Sequence, residues 1–514
     1  MSRALPSLLL ALAACGPAPP PVAAPAPVPR TTATVPAPPP VALPAFVVAT
    51  DCPPATRAAA KVLAEGGHAA DAAIVAVLVA GLAHPSSSGL GGGGVAIVFD
   101  AKTATARGYD FRITAPDPLP EGSLWALRGS AEARVGHPGE LAGLTSLQGH
   151  ATRPWAQQID DAVTTEAALE VTPHLSHALT LHPELGAAFG LPTGRVVAPG
   201  TPLRRPKLVA TLRRLTDLDA PLPPSIAPGP VAELRLLETV RDGRRVLTVP
   251  TAGGHVLWES LELLPAKLPA EAADRRHLIA EAFGLAVEDR MRNAGAGGAL
   301  PLSPAQLAAR RAQLDPQRHR AIPSAPHDEG GTTNIAIVDA DGNAVVWSSS
   351  LGHSFGAGIV TKDGVVLNDG LSLFARPAER RRFGDANAPR PRAAPAVSLA
   401  PTLVLSDGGV AFALAASGGE HVPTALAQVL LGLDTDHPVA APRLRTPVAG
   451  GLWLEPSEAA LAPSLRARGH HVRIDLVDHS GVVMVAVDGE HRHGRVDPRR
   501  GGASAVSPPP ATSD

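Results

Sequence analysis

The sequence has few aromatic residues, little net charge and almost no cysteine. Aromatic side chains make up 3% of its 514 residues, which weakens any case for a surface that stacks on bases or sugars. The formal net charge is -2, so the chain lacks the basic surface typical of nucleic-acid binding. With 45% hydrophobic and 18% charged residues, the composition is that of a globular protein with one large or two medium-sized domains.

The two cysteines exclude a disulfide framework, because the first of them belongs to an N-terminal signal. That signal begins with one positive charge, at Arg3, and continues with an apolar run too short to cross a bilayer. The residues Leu12 to Cys15, LAAC, resemble the lipobox of bacterial lipoproteins. The resemblance implies cleavage before Cys15, lipidation of its thiol and anchoring to a membrane of the cell envelope. An ordinary secretory signal with a chance cysteine is the alternative. With Cys15 lipidated, Cys52 would have no intramolecular partner.

Residues 16–45 consist mainly of proline and alanine. Proline removes backbone donors and favours extended conformations, so we expect a semi-stiff, disordered tether here. The predicted organisation is therefore a lipoprotein signal at residues 1–15, a tether at residues 16–45 and a folded body that begins near Phe46.

The body opens with two predicted helices, Ala58 to Ala64 and Ala69 to Leu82, and a predicted strand, Val95 to Phe99. Between them, Gly89 to Gly94 matches the pattern G-x-G-x-x-G. A dinucleotide site needs a strand before these glycines and a helix after them, and here the order is reversed. We therefore predict no dinucleotide cofactor and expect the glycines to allow close backbone packing.

The middle of the chain, residues 116–326, is predicted to be mostly helical with proline-rich breaks, and its clearest amphipathic helix lies within residues 274–295. Polar residues on or near this helix are assigned a structural role: His277, Glu281 and Asp289. The histidines near the end of the chain, including His491 and His493, lack paired ligands at useful spacing, so we predict no metal site.

A strand pattern begins at Thr332. Asn334 to Val338 alternates, Asp341-Gly342 is a strong turn signal, and Ala344 to Ser349 is predicted to be the return strand. A two-residue loop at this turn makes Thr332 face Ser350 or a residue beside it.

A threonine hydroxyl is a poor nucleophile unless a base takes its proton. An α-amino group on the same residue could do so, because its pKa of about 8 lies near neutrality, but Thr332 must then be a new N-terminus. The glycines before it, Gly330 and Gly331, supply the permissive backbone that a self-cleaving peptide needs. The opposed Ser350 could orient the hydroxyl.

An oxyanion hole for acyl transfer could form further along the chain. Ser398 to Leu405 and Val410 to Ala416 are predicted strands, Gly418 and Gly419 follow the second, and a helix begins near Pro423. Backbone N–H groups at such a turn point outward beside a helix N-terminus.

Several of these stretches occur in the order found in one enzyme family. They are residues 65–94 (EGGHAADAAIVAVLVAGLAHPSSSGLGGGG), 110–116 (DFRITAP), 330–360 (GGTTNIAIVDADGNAVVWSSSLGHSFGAGIV), 416–419 (ASGG) and 496–504 (VDPRRGGAS). Together they resemble the γ-glutamyltranspeptidase, or glutathione hydrolase, family of N-terminal-nucleophile (Ntn) hydrolases over about Phe46 to Ser504.

The resemblance implies an α+β fold, a four-layer αββα sandwich built from a large segment, 46–331, and a small segment, 332–514, of one precursor. It implies self-cleavage between Gly331 and Thr332, after which both chains stay together. Thr332 would then attack the γ-glutamyl amide of glutathione or a related compound. The acyl group would pass to water or to an amino-acid or peptide acceptor, without a cofactor.

The same resemblance assigns roles to individual residues. Arg112 matches the arginine that holds the substrate α-carboxylate, and Ser398 matches one serine of a carboxylate-binding pair. Ser350 matches the second hydroxyl that supports the nucleophile, and Thr333 matches the second threonine of the junction. Gly418 and Gly419 match the oxyanion glycines.

The sequence departs from the family pattern at the acidic residues that bind the substrate α-amino group. Where the family has an acidic stretch, residues 371–373 read Leu-Ser-Leu, and Asp369 lies nearby but displaced. Asn334 replaces the usual histidine, and Gly352 replaces a polar residue. Three readings stay open: a γ-glutamyl enzyme in which Asp369 or another acid serves, an acylase for an amide without a free α-amino group, and a catalytically silent envelope lipoprotein.

Overall fold

The computed structural model describes residues 46–119, 130–217, 221–227, 229–295, 301–320, 330–433, 435–445, 451–474, 480–489 and 491–507. The lipobox-like residues ending at Cys15 and the proline-rich segment, both predicted above, lie outside these residues. The described α-helices are α1 (Pro53–Ala64), α2 (Ala69–Ala83), α3 (Glu140–Gln148), α4 (Trp155–Thr164), α5 (Pro173–Leu181), α6 (Pro206–Arg214), α7 (Ala252–Leu263), α8 (Ala272–Asn293), α9 (Pro304–Arg311), α10 (Pro377–Phe383), α11 (Val422–Leu430) and α12 (Ala462–Ala467). None of them is both long and apolar enough to cross a membrane.

The described strands are β1 (Val47–Thr50), β2 (Gly93–Asp100), β3 (Thr105–Phe111), β4 (Ala232–Leu234), β5 (Leu237–Arg241), β6 (Arg244–Thr248), β7 (Gly330–Val338), β8 (Ala344–His353), β9 (Thr402–Ser406), β10 (Gly409–Ser417), β11 (Leu444–Arg445), β12 (Leu452–Leu454), β13 (Val472–Ile474), β14 (Gly481–Asp488), β15 (His491–Val496) and β16 (Ala503–Val506). Within the described part of the chain, one sheet has the order β16-β1-β7-β8-β2-β3-β4 and a second has the order β15-β14-β10-β9-β6-β5. A small third sheet joins β11, β12 and β13.

The two large sheets pack face to face, and helices cover both outer faces. Alternate residues of a strand point to opposite faces, so Val95 and Ile97 of β2 enter the core between the sheets with Leu403 of β9. Ala96 and Val98, on the other face of β2, pack in the core that contains α1 and α2. Helices α7, α8 and α11 share a core with the outer face of the second sheet. The predicted four-layer αββα sandwich is confirmed.

Both large sheets combine strands from before and after residue 332. In the first sheet, β1 lies between β16 and β7 and pairs with both. In the second sheet, β6 from the first part of the chain pairs with β9 from the second. Because each part contributes strands to both large sheets, neither part can form either large sheet alone.

The glycine run packs against neighbouring backbones, as the sequence predicted. A Cβ on Gly92 would lie 2.6 Å from the carbonyl oxygen of Ser350, and one on Gly94 would lie 2.1 Å from that of Ser348. These distances are too short for any side chain, so β2 can approach β8 only with glycine here. The strand accordingly begins at Gly93, two residues earlier than predicted.

One local prediction was incomplete and another was wrong. The middle of the chain contains the short strands β4, β5 and β6 in addition to its helices. The loop between β7 and β8 contains five residues, Asp339 to Asn343, because the Asp339 carboxylate accepts hydrogen bonds from the backbone N–H groups of Asp341 and Asn343. The longer loop still leaves Thr332 opposite Ser350.

Candidate active site

A cavity of about 150 Å³ lies at the N-terminal end of β7. Its lining includes five of the residues singled out from the sequence: Thr332, Ser350, Arg112, Ser398 and Gly419. The structure therefore brings these residues together from four distant parts of the chain. Three other predicted site residues, Thr333, Asp369 and Gly418, do not line the cavity among the described residues.

The peptide bond before Thr332 is held at an irregular point of the β7–β8 pairing. The register shifts between Gly331 and Thr332, and the Ser350 hydroxyl donates to the Gly331 carbonyl oxygen at 2.5 Å. The Ser350 oxygen in turn accepts from the backbone N–H of Gly352 at 3.0 Å. A Cβ on Gly331 would lie 2.4 Å from the carbonyl oxygen of Ser86, so only glycine fits before Thr332.

The residue after the nucleophile candidate faces away from the cavity. Thr333 is buried, and its hydroxyl oxygen accepts a hydrogen bond of 2.9 Å from Ser88. Ser88 lies in the serine run that precedes the glycines. Thr333 therefore fixes β7 against this run, which is a positioning contact.

Asn334 donates hydrogen bonds to a carboxylate that was not singled out in the sequence. Asp51 accepts hydrogen bonds from the backbone N–H and the side-chain amide of Asn334, the latter at 3.1 Å. Ser348 donates to the Asn334 side-chain oxygen at 2.8 Å. Burial raises the pKa of Asp51 to about 6, although Arg500 and Asn334 oppose the shift. An amide can donate to Asp51 in either protonation state of that carboxyl, so Asn334 fits this environment.

Arg112, which directly follows β3, is fixed by a bidentate ion pair with Asp110 at the end of that strand. Its Nε and Nη2 atoms donate to the two carboxylate oxygens of Asp110 at 2.9 and 2.7 Å, and its Nη1 donates to the Pro395 carbonyl at 3.1 Å. These bonds engage three of the five N–H groups of a guanidinium and leave two for a ligand. The cavity is also lined by two further arginines, Arg290 and Arg376, and by two glutamates, Glu379 and Glu420.

The Asp369 carboxylate, considered above as a reader of an ammonium group, is engaged by protein groups. It accepts from the backbone N–H of His353 at 2.9 Å, contacts His353 Nδ1 at 2.7 Å and accepts from the Ser372 hydroxyl at 3.1 Å. Burial opposes ionisation, yet the hydrogen bonds and charge of His353 hold the pKa of Asp369 below its usual value. A Cβ on Gly352 would lie 2.1 Å from an Asp369 oxygen, so the glycine at this position makes room for the carboxylate.

The turn after β10 has the geometry expected from the sequence. Gly418 and Gly419 have φ angles of 124° and 58°, a left-handed region that favours glycine. A helical turn follows and α11 begins at Val422, so backbone N–H groups at the turn lie beside a helix N-terminus. Glu420 follows directly and also lines the cavity.

Sequence reasoning missed four polar residues around the site: Asp51, Ser88, His353 and Glu420. Asp51 lies 283 positions from its partner Asn334, so no local pattern connects the two. His353, by contrast, lies inside a stretch that had been singled out, and Glu420 directly follows another. The polarity of both in otherwise apolar or glycine-rich segments was the available signal.

Comparison with known proteins gives consistent matches along the chain. The model of the family described as "Gamma-glutamyltranspeptidase" matches residues 55–222 and 230–507. Glutathione hydrolase 7 of Bos taurus is 30% identical over 84% of this chain and 74% of its own length. The glutathione hydrolase proenzyme of Escherichia coli is 26% identical over 88% of this chain and 90% of its own.

The solved structure of cephalosporin acylase from Bacillus halodurans has a similar fold. It superimposes with a TM-score of 0.79 at 21% sequence identity and covers 90% of this chain and 96% of that one. At this level of identity the likeness concerns the fold.

Proposed function

Because the chain belongs to the γ-glutamyltranspeptidase family, we propose that it is a self-processing γ-glutamyl hydrolase or transferase with Thr332 as its nucleophile. The observation that carries the proposal is the hydrogen bond from Ser350 to the Gly331 carbonyl, at the edge of a cavity that Arg112 also lines. This hydrogen bond polarises the Gly331–Thr332 peptide bond, and Arg112 makes the adjacent cavity suited to a carboxylate.

Self-cleavage is the first step of the proposed chemistry. Donation by Ser350 draws electron density from the Gly331 carbonyl carbon, and the Thr332 hydroxyl attacks that carbon. The Gly331–Thr332 amide bond breaks as an ester to the Thr332 oxygen forms, and water then hydrolyses the ester. The products are a carboxylate at Gly331 and a free α-amino group at Thr332.

Turnover uses the two groups that cleavage leaves on Thr332. The new amino group takes the hydroxyl proton, the oxygen attacks the γ-glutamyl carbonyl, and the leaving amine departs with a proton. Backbone N–H groups of Gly418 and Gly419 stabilise the oxyanion. Arg112 and Ser398 bind the α-carboxylate, and water or an amino-acid or peptide acceptor removes the acyl group.

A second candidate is an amide hydrolase whose acyl group has no free α-amino group. The observation in its favour is that Asp369 is held by His353 and Ser372 and does not line the cavity among the described residues. For the γ-glutamyl reading, Glu420 is the better-placed carboxylate, because it lines the cavity next to Gly419. A catalytically silent protein of the same fold is the third reading.

Two measurements separate these candidates. Mass spectrometry of the purified chain should find a fragment that begins at Thr332, and Thr332→Ala should abolish it, whereas Thr105→Ala, an exposed threonine of β3, should not. Hydrolysis of a γ-glutamyl anilide but not of the glutaryl anilide, which lacks the amino group, supports the γ-glutamyl reading. The reverse preference supports the second candidate, and an uncut chain inert towards both substrates overturns both enzyme proposals.

A further inference from the structure

A second cluster of ionisable side chains lies on α8, away from the cavity described above. His277 and Glu281 are one helical turn apart, so both side chains project from the same face of α8. His470, nearly 200 positions later in the chain, joins them just before β13. The three residues are 0%, 3% and 5% exposed, so the cluster is buried.

The ligand atoms of these residues converge on one point. One nitrogen of each histidine and one oxygen of Glu281 all lie within 4.8 Å of one another. His277 Nδ1 is 2.7 Å from His470 Nε2, and His470 Nε2 is 3.8 Å from Glu281 Oε1. Ligands of a tetrahedral Zn²⁺ ion, with bonds of about 2.0–2.2 Å, lie roughly 3.4 Å apart, so small side-chain shifts would complete the geometry.

The remaining polar atoms of the cluster are held as those of metal ligands usually are. His277 Nε2 lies 2.8 Å from the Asp315 carbonyl oxygen, which can only accept, so Nε2 carries the proton and Nδ1 keeps its lone pair. Glu281 Oε2 accepts from the backbone N–H of Arg320 at 2.9 Å. Such hydrogen bonds fix the tautomer and the orientation of ligating side chains.

His319 supports the carboxylate from the other side. Its Nδ1 lies 2.6 Å from Glu281 Oε1, and its ring stacks on that of His470 with 4.2 Å between the centroids. Its own backbone N–H donates to the Arg468 carbonyl at 2.7 Å. His319 therefore acts as a positioning residue for two of the three ligand groups.

We propose that His277, Glu281 and His470 bind a divalent transition-metal ion, with Zn²⁺ as the best chemical match. Two imidazoles and one carboxylate are a common protein ligand set for Zn²⁺ and leave a fourth position for water. Imidazole nitrogens disfavour Ca²⁺ and Mg²⁺, which prefer oxygen ligands. Ligation through His470 Nε2 needs the lone pair of that nitrogen, so the proton that it donates to His277 Nδ1 would move to His470 Nδ1.

The proposed ion joins parts of the chain that are distant in sequence. It ties α8 to the segment before β13 and, through His319 and Arg320, to the stretch that precedes β7. Since the ligand set is complete only in the folded protein, binding would stabilise the native state in proportion to ion concentration. The site does not depend on the cavity chemistry proposed above.

The test uses full-length protein without an affinity tag, stripped with a chelator and titrated with ZnCl₂. We expect one tightly bound zinc per chain by elemental mass spectrometry after buffer exchange, and a rise in Tm that MgCl₂ does not produce. Co²⁺ in place of Zn²⁺ should give the visible ligand-field bands of a low-coordinate site with nitrogen and oxygen ligands. That readout needs no variant and so does not depend on how substitutions affect folding.

Substitutions locate the ion. Glu281→Gln and His470→Gln should each weaken zinc binding by at least about tenfold, because each removes or neutralises a ligand. His150→Gln, which affects a histidine bonded to Tyr109 outside the cluster, should not. The decisive comparison is the exposed pair His491 and His493, since their parallel rings could bind zinc without any contribution from the cluster on α8. Loss of the ion in His491→Ala/His493→Ala, or no stoichiometric binding by the wild type, would overturn the proposal.

Discussion

The hydroxyl of Ser350 contacts the one carbonyl group on which the proposed self-cleavage depends. It donates to the Gly331 oxygen while accepting from the Gly352 N–H, so its direction is fixed before any reaction occurs. A donor that is already aligned needs no reorganisation as negative charge develops on the carbonyl oxygen.

The first prediction concerns this donor. Ser350→Ala should slow self-cleavage by about 100-fold or more, as expected for removal of one donor to a developing oxyanion. A time course of fragment formation on denaturing gels measures the rate. Ser350→Thr keeps the hydroxyl and is the matched control, which should still cleave. Cleavage of the alanine variant at the wild-type rate would assign Ser350 to strand packing alone.

The second prediction concerns the planar guanidinium of Arg112, which pairs with Asp110 through two nitrogens. Arg112→Lys should lower kcat/KM for a γ-glutamyl anilide by about 10- to 100-fold, because a lysine cannot pair with Asp110 through two nitrogens and still present two N–H groups to a carboxylate. Arg107→Lys changes an exposed arginine of β3, paired with Glu233, and should leave kinetics unaltered. An equal loss of kcat/KM in both variants would mean that Arg112 does not bind the substrate.

At the scale of single elements, sequence patterns predicted the parts that depend on neighbours in the chain. The turn signal between β7 and β8 was enough to place Thr332 opposite Ser350 or a residue beside it, and the apolar run of α2 was enough to predict a helix. The five-residue loop was missed because the side chain of Asp339, which has no pattern of its own, organises it.

Contacts between distant segments account for the rest. From its position in the chain, Asp369 was predicted to lie near the substrate amino group. In the structure, its carboxylate is instead bonded to His353. Asp51 was missed for the same reason, because its partner Asn334 belongs to another strand. Which face a polar side chain takes, and which partner reaches it, is decided by packing and cannot be read from local spacing.

Helix α3 provides the third prediction, a dependence of stability on pH. Its first residue, Glu140, is 1% exposed, and burial raises the pKa of this carboxyl to about 8, with Ser349 and Trp347 opposing the shift only in part. The folded state then holds a proton that the unfolded state releases above its usual pKa of 4.5. The contribution of Glu140 to stability is therefore complete below pH 4.5 and is lost progressively up to about pH 8.

Thermal unfolding of Glu140→Gln should show this loss directly. Glutamine stays neutral, so the free energy of unfolding of the variant relative to wild type should rise between pH 5 and pH 8 by up to roughly 1.4 kcal/mol per pH unit, and its relative Tm should rise with it. Glu132→Gln, at an exposed glutamate close by in the chain, should give no such trend. A Tm difference for Glu140→Gln that stays constant with pH would mean that Glu140 is ionised in the folded protein throughout.

For the whole molecule, the lipobox predicts where the protein resides. Wild-type protein expressed in a bacterium should fractionate with membranes and should carry acyl chains on Cys15, because two or more chains give stable anchoring. Cys15→Ser should move it to the soluble fraction without changing the Tm of the folded body. Mass spectrometry of the mature N-terminus checks the modification, and an unmodified Cys15 in a secreted chain would favour the ordinary signal peptide.

Both large sheets combine strands from the two sides of residue 332, so self-cleavage would change how the protein can refold. While the chain is continuous, every strand reaches its neighbour by closing a loop, and folding is a first-order event. Once the chain is cut, the same sheets can be rebuilt from the unfolded state only if two separate polypeptides meet, at a rate set by their concentration. The cut protein would thus keep a shape that it cannot readily regain, and its useful lifetime would be governed by how slowly it unfolds.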